Sequence, residues 1–94
     1  MTDLREFDAA NYLETPEDIE IFLEDAFETG NYKYISSAIG AVIRARGVAD
    51  IAKSTGLNRQ QLYRSFSEDG NPRIDTLLKV MSSLSISLAP KHLT

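Results

Sequence analysis

The sequence predicts an all-α fold of five helices, on three observations. Apolar residues recur at helical spacing in two stretches, Ile19, Phe22, Leu23, Ala26 and Phe27, then Ile35, Ala38, Ile39, Val42 and Ile43. Gly30, Gly47, Gly56 and the Asn71-Pro72 pair divide the chain at intervals that suit short helices. No β-rich segment precedes the fifth helix. Ninety-four residues that are 43% hydrophobic suffice for one core and leave no room for a second.

Residues 1–14 show no clean period and read as an extended arm, whose Leu4, Phe7, Tyr12 and Leu13 need a surface to pack on. The first helix starts at Thr15 as N-cap, with Pro16 at the first helical position and Asp18 completing a capping box. Its stripe from Ile19 to Phe27 faces inward, Glu17, Glu20, Glu24 and Glu28 face water, and Gly30 stops it. A second helix runs from about Tyr32 to Arg46, where Arg44 and Arg46 suit the negative end of its dipole and Gly47 ends it. Three short helices follow near 48–55, 59–67 and 73–84. The last is opened by Asn71-Pro72 and is expected to bury Ile74, Leu77, Leu78, Met81 and Leu84. In the tail SISLAP, Ile86 and Leu88 alternate with Ser85 and Ser87, which permits a short strand that Pro90 stops.

Composition narrows the function. There is no cysteine, so there is neither a disulfide framework nor a thiolate metal site, as in a protein of a reducing compartment. The start MTDLREFDAANYL lacks the pattern of a signal peptide, and no apolar run nears the roughly 20 residues of a membrane span. The expected location is the cytoplasm. The net charge of −4 conceals an asymmetry. Residues 1–30 carry ten acids and one base, a sum of −9, whereas residues 31–94 sum to +5. Partners of opposite sign for the two parts follow from that division.

The stretch ADIAKSTGLNRQQLYRSF, 49–66, has the pattern of two helices crossing through a tight turn. Ile51, Leu57, Leu62 and Phe66 are the positions that meet in a core, Ala52 is small where the helices approach, and Gly56 suits a left-handed turn. Asn58 caps the next helix, which begins Arg59-Gln60-Gln61. In DNA-binding helix-turn-helix units the start of the second helix reaches base edges. Arg bonds guanine with two donors, and Gln bonds adenine with a donor and an acceptor. Arg59, Gln60 and Arg64 are therefore the base-reading candidates, Arg64 sharing a face with Gln60. Gln61 and Tyr63 are candidates for bases or phosphates. Lys53, Asn58, Asn71 and Arg73 are further DNA contacts, the last two beside the N-terminus of the fifth helix, where N–H groups favour anions. Arg44 and Arg46 are weaker ones.

These residues carry a resemblance. IAKSTGLNRQQLYRSFSEDGNPRIDTLLKVMSSL looks like the lambda-repressor-like helix-turn-helix family. With FDAANYLETPEDIEIFLEDAF (7–27) and ISSAIGAVIRARGVADIAKSTGL (35–57), nearly the whole chain resembles the addiction-module antidote proteins of bacteria, antitoxins encoded beside a small toxin of the RelE/ParE fold. The resemblance implies a type II antitoxin, often a homodimer, that neutralises its toxin and represses the shared operon by binding operator DNA. It implies the same reading positions, Arg59, Gln60 and Arg64. One position departs: where related repressors place a polar phosphate-contacting residue, this chain has Val48. The expected division is an acidic arm and first helix (1–30), a DNA-binding helical core (31–84) and a tail (85–94). The implied toxin is basic, and Glu14, Glu17, Glu20 and Glu24 are candidates to face it.

An enzyme is not expected. His92 is the one histidine, near the end of the sequence, and no nucleophile–base pair or phosphate-cradling glycine loop is visible. No metal or cofactor is called for. The competing class is a helix-turn-helix-shaped protein-interaction module, or a stand-alone regulator without a toxin, because fold alone does not fix function.

Overall fold

The computed structural model describes residues 9–93. Leu4, Phe7 and the charged residues Asp3, Arg5, Glu6 and Asp8 lie outside them. The described chain is all-helical: α1 (Pro16–Glu28), α2 (Tyr32–Arg46), α3 (Val48–Thr55), α4 (Arg59–Ser65) and α5 (Ile74–Ser83), preceded by a short 3-10 helix at Ala9–Tyr12.

The helix starts follow local hydrogen-bond chemistry. The Asp18 N–H donates to Thr15 Oγ1 and the Thr15 N–H donates back to Asp18 Oδ2, both at 3.1 Å, which is the expected capping box. Asn31 caps α2 without a reciprocal bond, its Oδ1 accepting from the N–H groups of Lys33 and Tyr34. Gly30 and Gly47 follow α1 and α2 with positive φ.

One buried cluster takes side chains from each of the five α-helices: Ile19, Leu23 and Ala26 of α1, Ala38, Ile39, Val42 and Ile43 of α2, Ile51 of α3, Leu62 of α4, and Val80 and Met81 of α5, closed by Phe66 and Leu84. α2 is central, packing against α1, α3 and α4, while α5 packs on α3.

Four expectations need correction. Residues 9–12 of the arm are coiled as a 3-10 turn against α2, and Leu13 behind it packs on the core. The fifth helix begins at Ile74 after Arg73 in the cap position, so Asn71-Pro72 belong to the preceding loop. Its inward face carries Thr76 and Val80 with Met81 and Leu84, and Leu77 packs partly against it. Ile74 and Leu78 instead point to solvent, 74% and 48% exposed. Finally, the tail forms no strand among the described residues. Ser85 takes a positive φ of 60°, its N–H donates to the Ser82 carbonyl, and the Ile86 N–H donates to Met81. That pair of bonds is a Schellman close to α5, and it turns the chain away from β geometry.

Candidate nucleic-acid interface

α3 and α4 meet through the turn Gly56–Asn58. Gly56 sits at φ 78°, its N–H donating to the Ala52 carbonyl at 2.9 Å. The Thr55 hydroxyl donates to Ile51 and accepts from the Leu57 N–H, which ties both sides of the turn. The Gln61 N–H then donates to Asn58 Oδ1 at 2.7 Å, fixing where α4 begins. Ile51, Leu62 and Phe66 are buried and Leu57 packs beside them. The α3–α4 pair is thus held from inside by apolar contact and at its turn by four local hydrogen bonds.

That frame sets the outward residues. At 100° per residue, Gln60 and Arg64 stand opposite buried Leu62. Arg59, Gln60, Tyr63 and Arg64 are exposed, as are Lys53 and Asn58, while Gln61 is half-buried. These seven lie on one helix–turn–helix segment. Asn58 has committed its side-chain oxygen to the cap, which leaves its amide N–H₂ as the donor for any partner. Asn71 and Arg73 are exposed in the loop leading to α5, a helix that packs on α3. Arg73 is not an unshared cation: its Nε lies 3.4 Å from Asp75 Oδ1. Asp75 also accepts from the Thr76 N–H, so a carboxylate already occupies the first turn of α5. Val48 packs partly against the core, which gives that position a structural role.

A family model described as "probable addiction module antidote protein" matches residues 3–92. The chain belongs to this antidote family. An uncharacterized protein of Haemophilus influenzae is 37% identical over 83 residues, spanning 88% of this chain and 86% of its own length. No solved structure matches.

Membership in the antidote family implies a toxin partner and points to a regulatory rather than a catalytic protein. Glu14 precedes α1, and Glu17, Glu20 and Glu24 are exposed along it. α1 packs chiefly on α2, so these carboxylates sit on a different part of the molecule from the α3–α4 residues. Among the described residues, no group of three or more His, Cys, Asp and Glu is placed to hold a metal ion, and no helix is long and apolar enough to cross a membrane.

The antidote carries an outward apolar feature at positions whose helical spacing predicts burial. Ile74 and Leu78, one turn apart on α5, form an exposed apolar face. Leu88 of the tail is also exposed, and it lines the same shallow cleft as Leu78. The signal was present in the composition of α5, which has more apolar residues than one stripe can bury.

Proposed function

We propose that this protein is the antitoxin of a type II module in the cytoplasm, a homodimer that binds operator DNA through α3 and α4 and neutralises a basic toxin. The observation that carries the DNA half is the capped start of α4, where Arg59, Gln60 and Arg64 project to solvent from a helix anchored by Leu62. Donors carried on a helix whose start is fixed in this way are what direct readout in a major groove requires. In this lambda-repressor-like reading α4 enters the groove. Arg59, Gln60 and Arg64 contact bases. Lys53, Asn58, Gln61, Tyr63 and Asn71 contact bases or backbone, and Arg73 contributes less because of Asp75.

Two such helices about 34 Å apart match successive turns of an inverted repeat. The exposed Ile74–Leu78 face of α5 is the surface that supports pairing of two copies. Occupying the promoter would block transcription of the operon, which makes the protein its own repressor. The toxin half rests on the family and on charge: a toxin that acts on nucleic acid or its machinery is expected to be basic, and α1 is acidic.

The test is binding to the DNA upstream of the gene. Arg59→Ala and Gln60→Ala are each expected to lose on the order of 1–3 kcal/mol of specific binding and to relax selectivity at one base position. Unchanged affinity and selectivity in both variants would remove the base-reading assignment.

A further inference from the structure

The turn at Ser85 lays the C-terminal tail alongside α1, and between them lies an open groove of about 500 Å³. Its floor is apolar. Leu23 and Met81 are buried at the bottom, Phe27 and Ile86 are half-buried, and Leu88 is exposed on the tail side. The α1 wall carries Glu20 and Glu24, both exposed. Among the described residues no ion pair compensates that negative charge. α1 itself contains no basic residue. Glu20, Glu24 and Glu28 follow one another at i, i+4, a spacing at which like charges repel.

We propose that this groove is the toxin-docking site, and that its occupant is a cationic amphipathic segment of the toxin. Apolar side chains of that segment sit over Leu23, Phe27, Ile86 and Leu88, while its Lys or Arg residues lie along Glu20 and Glu24. The inference rests on the antidote reading, which supplies a basic protein partner. An apolar floor beneath a charged rim is the arrangement in which excluding water strengthens the ion pairs above it. Two other occupants fit less well. A second copy meeting the groove about a two-fold axis would set Glu20 and Glu24 against their own equivalents, like charge against like. DNA phosphates would meet the same carboxylates.

The experiment uses the full chain and the purified product of the reading frame adjacent to its gene, titrated by calorimetry at several salt concentrations. The wild-type pair is expected to bind, and more weakly as salt rises. Glu20→Lys/Glu24→Lys and, separately, Leu88→Asp should each weaken binding about tenfold or more. Asp25→Lys/Glu28→Lys makes the same change of charge on α1 outside the groove lining and should weaken binding less than about threefold. All five positions are exposed, and unaltered melting and operator binding confirm that each variant is folded. Equal losses in the two charge-reversed pairs would reduce the contact to general attraction and overturn the groove. Undiminished binding by both groove variants would overturn it too, as would a change only in the chain's own oligomeric state. No binding by the wild type would instead remove the toxin pairing itself, with operator binding untouched.

Discussion

At Gly40 the second helix is only as wide as its backbone. A Cβ built there would overlap the Phe66 carbonyl oxygen at the end of α4, so the missing side chain sets how closely the two elements pack. Gly40→Ala is expected to destabilise the fold by about 1–3 kcal/mol, the usual cost of overfilling a packed core, seen as a lower thermal midpoint. Ser85 is the opposite case. It holds a positive φ that glycine adopts without penalty. Ser85→Gly should therefore raise stability by about 0.5–1 kcal/mol in urea titration, provided the Schellman bonds are kept. These two residues also mark what sequence can reveal at this scale. Thr15, Asn58 and Gly56 were legible because caps and turns are closed by atoms a few positions away. Gly40 was not, because its neighbour is 26 residues distant in sequence and only tertiary packing brings it near.

Among the elements, α1, α2 and α3 fell where their periodicity and terminators placed them, with the N-cap of each long helix supplied locally. α5 did not fully follow its pattern. Ile74, Leu77, Leu78, Met81 and Leu84 make a regular stripe, yet the face that packs is turned roughly 60° from it, toward Thr76 and Val80. An apolar arc wider than one contact surface leaves the choice of inward side to the neighbours, here α3. The same ambiguity hid the outward pair. Ile74→Lys and Leu78→Lys should leave the melting midpoint within the small range usual for surface changes, but convert the proposed dimer to monomer in sedimentation. If both unfolded the chain instead, these side chains would be core. Of the candidate site, the start of α4 was legible from its Asn58 cap and its core anchors Leu62 and Phe66. The Arg73–Asp75 pair was not, since opposite charges two residues apart predict contact only once the backbone bend at the helix start is known.

At the scale of the molecule, charge is segregated by packing. α1 rests on α2, and α3 and α4 reach α2 independently, so one rod separates a carboxylate surface from a cationic one. Replacing Glu17, Glu20, Glu24 and Glu28 by Gln should strengthen non-specific DNA binding several-fold at low salt. The gain should vanish as salt rises, because the repulsion removed acts over distances comparable to the Debye length. The groove beside α1 has one more property, which concerns time. Its first wall, near residues 20–27, leaves the ribosome early; its second, residues 85–89, emerges only after all five α-helices have been made. A helical hairpin such as α1–α2, joined by the short link Thr29–Asn31, forms fast and locally. The groove must wait for residues 85–89, so a nascent chain that stops short of them presents acid without the cleft beside it. Translation of the tail is thus the event that completes the surface, and a chain cut after Leu84 would keep every helix and lose it.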